Sequence, residues 1–161
     1  VQRVVGAPLR RNLEALCRGV ADEDAVCAAI ACDRQSVQAD GTGTLHNHRL
    51  VRRDGALLQF VPCRRRAWHA GASSWRGRER CNDFSVGIEL EGTDALAYEP
   101  AQYAALSRLI AELCRAYPTL SPERVVGHSD VAPGRKSDPG IAFDWPLLRA
   151  LVRFELEVAP A

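Results

Sequence analysis

The 161-residue chain has no methionine and no histidine ahead of position 46; its four histidines stand at 46, 48, 69 and 128. Imidazole chemistry therefore has to come from residue 46 onward. With no initiating Met, Val1 is expected to lie downstream of the true start. Long apolar runs are missing too. Nothing approaches the roughly 20 apolar residues that span a bilayer. The opening "VQRVVGAPLRRN" also lacks the longer apolar stretch of a secretory signal. No membrane partner is expected, and a cytoplasmic location is. Charge of one sign is absent as well: 21 Lys and Arg against 20 Asp and Glu give +1. The signs are interspersed, which leaves no basic footprint for nucleic acid. Close cysteine pairs do not occur. The six cysteines, at 17, 27, 32, 63, 81 and 114, are expected to be free, mostly buried thiols of a reducing compartment.

What is present reads as one soluble domain. A hydrophobic share of 47% and a charged share of 25% are ordinary for a globular chain, and the length is enough to bury a core without staples. Residues 8–32 read as helical, with Leu13, Leu16, Cys17 and Val20, then Val26, Cys27 and Ile30, at helical spacing. Residues 33–44 read as a polar, glycine-bearing loop. From His48, "HRLVRRDGALLQFV" is two strand-like runs joined by Asp54-Gly55, a pair that tolerates the positive φ of a tight hairpin. Residues 62–83 show no sustained period and read as one long loop, a length that usually signals function.

Alternation then takes over. In "FSVGIELEG", Phe84, Val86, Ile88 and Leu90 share one strand face, and Ser85, Gly87, Glu89 and Glu91 the other. Pro100 opens a helix whose stripe is Leu106, Leu109, Ile110, Leu113, Cys114 and Tyr117. "SPERVVG" is a short strand, and Pro146 leads Leu147, Leu148, Leu151 and Val152 into a closing helix. Strands interleaved with helices argue an α/β domain whose sheet is covered on at least one face.

Chemistry concentrates after the last strand. In "VVGHSDVAPGRKSDPG", prolines and glycines argue against a regular helix, and His128, Lys136 and Asp138 fall close together. An imidazole and a carboxylate suit zinc, and an ammonium beside them suits a developing negative charge. A solvated surface loop is the competing reading. The position supports function, since α/β sheets place ligand chemistry at the carboxyl ends of strands. On the "VGIELEG" strand, Glu89 and Glu91 are either solvated acids or include a base that accepts a proton from an attacking water. Gly87 would leave room there for a substrate. In 62–83, Trp68, Trp75 and the arginines suit a carboxylate-bearing ligand such as an acidic peptide, or form a solvated basic loop. His69 reads more readily as a hydrogen-bonded structural residue than as a ligand.

Two long segments, "RAWHAGASSWRGRERCNDFSVGIELEGTD" and "GHSDVAPGRKSDPGIAFDW", together with "LVRRDG" and "QFVPCRRRAWHAG", carry a resemblance. From about Leu45 to Leu151 the chain resembles the AmpD-type N-acetylmuramoyl-L-alanine amidases, cytosolic zinc enzymes acting on 1,6-anhydro-muropeptides in cell-wall recycling. More distantly it resembles phage amidases and peptidoglycan recognition proteins. The resemblance implies a single domain with a mixed central sheet and flanking helices. It implies His128 and Asp138 as zinc ligands, Glu89 as the catalytic carboxylate, Lys136 beside the scissile carbonyl and Arg80 on the peptide. Asp130 and His69 match recurrent positions that are not ligands.

One element departs from that pattern. The family draws a third zinc ligand from a His-Asn on its first strand, roughly forty residues before "RRDG", and nothing in residues 1–44 matches it. Residues 1–44 are thus expected to be an atypical helical segment ahead of an amidase core over 45–155. The third ligand is either His46 or missing; His48 aligns with a position that is not a ligand. Two functions follow as expectations. One is a monomeric zinc amidase that cuts the muramoyl–L-alanine amide; the other is a non-catalytic muropeptide-binding module without a complete zinc site.

Overall fold

The computed structural model describes residues 49–63 and 65–158 in full, and the backbone of 2–4 and 27–32. Six strands form one mixed sheet: β1 (Gln2–Val4), β2 (Cys27–Cys32), β3 (Arg49–Val51), β4 (Leu57–Gln59), β7 (Ser85–Leu90) and β8 (Val125–Gly127). Their order is β1-β4-β3-β7-β2-β8. The β1/β4 and β4/β3 pairs are antiparallel, and β3/β7, β7/β2 and β2/β8 are parallel. A separate ribbon joins β5 (Ser74–Trp75) to β6 (Arg78–Glu79). The helices are α1 (Pro100–Ala116), the single turn α2 (His128–Val131) and α3 (Trp145–Glu157).

The Asp54-Gly55 hairpin forms as expected. Gly55 has φ +79, and a Cβ there would come within 2.8 Å of the Ala101 carbonyl oxygen, so the hairpin tip sits directly on the start of α1. α1 begins with Pro100 in its first turn and the Glu99 N–H donating to Gln102 Oε1 at 3.0 Å. α3 begins with the Asp144 carboxylate accepting from the Leu147 N–H at 2.9 Å. Leu106, Leu109, Ile110 and Leu113 of α1 meet Val86, Ile88 and Leu90 of β7 and Leu148 and Val152 of α3 in the main core. Cutting one of these leucines to alanine would cost about 2–5 kcal/mol.

Two expectations change. Cys27–Cys32, read as the end of a first helix, is a strand at the sheet's interior. "CAAIAC" is a short apolar run rich in a strong helix former, and periodicity cannot separate such a run from a buried parallel strand. The earlier part of that helix, residues 8–26, and the loop at 33–44 lie outside the described residues. The long loop at 62–83 contains the β5–β6 ribbon, turned by Arg76 and Gly77 at φ 49 and 84. The strand β7 is buried at all six residues, which removes the reading of Glu89 as a solvated acid. The helices cover one face of it, and the 62–83 segment covers the other.

Candidate active site

The face of β7 that turns away from the helices carries Ser85, Gly87 and Glu89. His69 Nε2 lies 2.8 Å from Ser85 Oγ, and its backbone N–H donates to Asn82 Oδ1 at 3.0 Å. A Cβ on Gly87 would sit 2.4 Å from His69 Cγ. The room that glycine makes is therefore filled by the His69 ring and not by a substrate, which corrects that expectation. His69 acts as the structural residue foreseen for it, tying 62–83 to the sheet.

Glu89 and Glu91 part company. Glu89 is 3% exposed near the carboxyl end of β7. Glu91 lies past the strand, half exposed, 3.5 Å from Arg52 Nε and accepting from the Arg53 N–H at 3.0 Å. Of the two carboxylates, only Glu89 belongs to the buried row.

β8 delivers His128 at its carboxyl end. The turn α2 starts there despite the nearby glycines and prolines, because the Asp130 carboxylate accepts from the Gly127 N–H at 2.7 Å and the Ala132 N–H donates to the His128 carbonyl at 2.9 Å. This gives Asp130 a capping role. The return loop is held by the Ser129 N–H on the Asp138 carbonyl at 3.0 Å, and by Tyr98 Oη on the Pro139 carbonyl at 2.9 Å. The Asp138–Pro139 peptide is cis. The result is a buried pair, with His128 Nδ1 2.9 Å from Asp138 Oδ2 and both residues 5% exposed. Lys136 is exposed on the same return loop, its N–H on the Ala132 carbonyl at 3.1 Å.

Arg135 was not anticipated. Its guanidinium donates to the Ala70 and Ala72 carbonyls, the latter at 3.0 Å, and Nη2 lies 3.5 Å from His128 Nε2. His128 Nε2 is itself 3.3 Å from the Ala70 oxygen. The imidazole thus has acceptors on both sides, while a neutral ring carries one N–H. If Nδ1 holds it, Arg135 faces the bare Nε2. If Nε2 holds it, Nδ1 presents a lone pair beside a carboxylate, which is the arrangement a cation completes. Arg135 could not be found from spacing, because its partners lie in a segment far back along the chain.

On the far side of Arg135 from this pair opens a cleft of about 500 Å³, lined by Gly71, Ser73, Arg80, Val131, Ala132 and Arg135 among others; His128, Asp138 and Glu89 do not line it. Arg80 stands on its rim, its side chain 73% exposed and its Nε 3.1 Å from Asp83 Oδ2. Trp68 is exposed with the Arg66 guanidinium 3.7 Å over its ring, and Arg66 also pairs with Asp83 at 2.6 Å. Trp75 is partly buried on the small cluster of Ala70, Cys81, Phe84, Val126 and Val131 that closes this side.

Among the described residues no three His, Cys, Asp or Glu side chains gather as a metal site. His128 and Asp138 come together; His46 and His48 lie outside the described residues.

Known proteins resemble this chain in sequence and fold. The 1,6-anhydro-N-acetylmuramyl-L-alanine amidase AmpD of Salmonella typhimurium SL1344 is 58% identical over 105 residues, 65% of this chain and 56% of that protein. The chain thus spans little more than half the length of the curated relatives it matches. A crystal structure of a selenomethionine AmpD derivative superposes with a TM-score of 0.72 at 41% identity, covering 81% of this chain and 87% of that one. The Escherichia coli amidase AmiD, in complex with anhydro-N-acetylmuramic acid-L-Ala-D-gamma-Glu-L-Lys, gives 0.69 at 32% identity over 83% of this chain and 61% of that one. The N-acetylmuramoyl-L-alanine amidase model matches residues 19–141, a span that takes in β2, β7, β8 and the His128–Asp138 pair, and the chain belongs to that family.

Proposed function

We propose that this site hydrolyses the amide between (anhydro-)N-acetylmuramic acid and L-alanine in muropeptides. The observation that carries the reading is the buried His128–Asp138 pair at the carboxyl end of β8, with buried Glu89 at the same end of β7 two strands away. In this reading Glu89 takes a proton from the attacking water and passes it to the departing alanine nitrogen. Lys136 supports the tetrahedral oxyanion. Arg80, on the cleft rim with an accessible guanidinium, holds a carboxylate of the stem peptide.

Zinc is the group that the family implies. His128 and Asp138 have the right donor chemistry, but a catalytic zinc takes three protein ligands plus water, and the described residues contribute two. Among the described residues the set does not fit a catalytic zinc. That shortfall favours a second reading, a muropeptide-binding module that keeps the cleft without turnover. Cys63, Cys81 and Cys114 form no disulfide, Cys63 Sγ accepting from Arg49 Nη2 at 3.2 Å, and no helix among the described residues is long and apolar enough to cross a membrane. We also propose a cytoplasmic location and a monomer, the setting that the resemblance to the AmpD-type amidases implies.

Anhydro-muramoyl tripeptide incubated with the chain and followed by mass spectrometry tests the proposal. Release of the free peptide, lost in Glu89→Gln, supports hydrolysis. Calorimetric binding without release supports the binding module, and neither binding nor release overturns both.

A further inference from the structure

We propose that Ala31 stands where this sheet would supply the third metal donor, so that the chain holds zinc weakly as it is and a donor side chain at 31 completes the site. The inference rests on the reading of His128 and Asp138 as metal ligands.

β2 lies between the strand that carries Glu89 and the strand that delivers His128. Ala31 pairs with Glu89 in the β2/β7 ladder. On the other side Ile30 pairs with Gly127, so the next residue, Ala31, is level with His128. Across the sheet the row runs Leu50, Glu89, Ala31, His128.

The alternatives on β2 are removed by the same register. Ile30 and Cys32 are level with Ile88 and Leu90, positions on the helix-covered face. Ala29 is level with Gly87, one row lower, where the His69 ring fills the face. Leu50, the remaining member of the row, offers no lone pair. Position 31 alone combines the right face and the right row, and alanine has no atom that can bind a metal.

The test is zinc affinity of the full chain, by competition with a chromophoric chelator, and cobalt(II) absorption as a report of coordination. The variants are Ala31→His, Ala31→Cys, which adds a ligand in little more than the volume of alanine, and Ala31→Val, which adds bulk without a donor. Circular dichroism selects the variants that fold. Ala31→His or Ala31→Cys should bind at least about a hundredfold tighter than the parent, since even outer-shell changes move metal affinity by about 10–100-fold. Each should also give the intense bands of tetrahedral cobalt, while Ala31→Val matches the parent.

Tight stoichiometric zinc binding by the parent would overturn the proposal, and its loss in His46→Ala would assign the third ligand to His46. Folded Ala31→His and Ala31→Cys proteins with parental affinity would overturn it as well. The underlying reading fails separately, when His128→Ala leaves zinc affinity unchanged in both the parent and the Ala31→His background.

Discussion

The Arg135 guanidinium and the His128 imidazole converge on one acceptor, the carbonyl oxygen of Ala70. The guanidinium also spans to the Ala72 carbonyl, and a Cβ on Gly71 would lie 3.2 Å from Arg135 Nη2. A planar fork thus clamps the 70–72 turn over the imidazole. Arg135→Ala should destabilise the protein by about 1–2 kcal/mol, the range for hydrogen bonds from a charged donor that is partly in solvent. Arg135→Lys should recover only part, because an ammonium cannot bridge two carbonyls in one plane. Hydrogen exchange should accelerate at residues 70–73 in both variants; unchanged protection there would show that the clamp is not what orders the turn.

Glu89 and Glu91 provide a matched comparison. In the parent, or in Ala31→His if only that variant turns over, Glu89→Gln should lower kcat by about two orders of magnitude or more with zinc retention unchanged. Glu91→Gln removes an exposed partner of Arg52 and should stay within about twofold, as a surface ion pair contributes little. Equal losses in the two would move the base away from the buried row.

Gly87 and His69 make a testable steric pair. Gly87→Ala should cost about 1–3 kcal/mol, because the new methyl meets the His69 ring. In a His69→Ala background the same substitution should cost far less. A thermal-denaturation double-mutant cycle reads the coupling, and additive effects would contradict the contact.

Asp138 and Lys136 share a return loop with different duties. On the proposed reading Asp138→Ala removes an anionic ligand and leaves His128 without its 2.9 Å partner, so in the Ala31→His background it should abolish zinc retention. In the same background Lys136→Ala should leave the metal in place and lower turnover, since a cation is repelled by zinc. Metal analysis of the two purified variants decides, and equal zinc loss would refute this division.

Burial pushes the Cys114 thiol from the usual 9.0 up to about 11 and raises that of Cys81 as well. A folded-state value above the unfolded one means that the unfolded chain releases its proton first as the pH rises. The stabilisation is complete below about pH 9 and is lost toward about pH 11. Denaturant midpoints should therefore fall between pH 8.5 and roughly 10.5, and the fall should be shallower in Cys114→Ala.

Legibility in the sequence followed the range of the interactions. His128, Asp138 and Asp130 sit within one short motif, and β7 shows its alternation within a few residues, so these could be read locally. The hairpin at Asp54-Gly55 was equally plain, because its turn residues are those that positive φ selects. The β5–β6 ribbon escaped because Arg76 takes positive φ without being glycine, asparagine or aspartate. β2 escaped because "CAAIAC" has no pattern to distinguish helix from interior strand, and only its two neighbours make it a strand. Arg135 and the filling of Gly87 by His69 depend on segments that meet only in the finished fold.

β2 also sets the order in which the molecule can be assembled. Both its neighbours are parallel, and β7 and β8 come far later along the chain. During synthesis this strand is made before both partners and cannot pair until they arrive, since parallel partners need long crossovers and slow, non-local closure. Until then its unpaired N–H and C=O groups are open to other chains. Assembly of the row containing Glu89, Ala31 and His128 is thus the late event of folding, and the yield of soluble protein should respond to substitutions in β2 more steeply than equilibrium stability does.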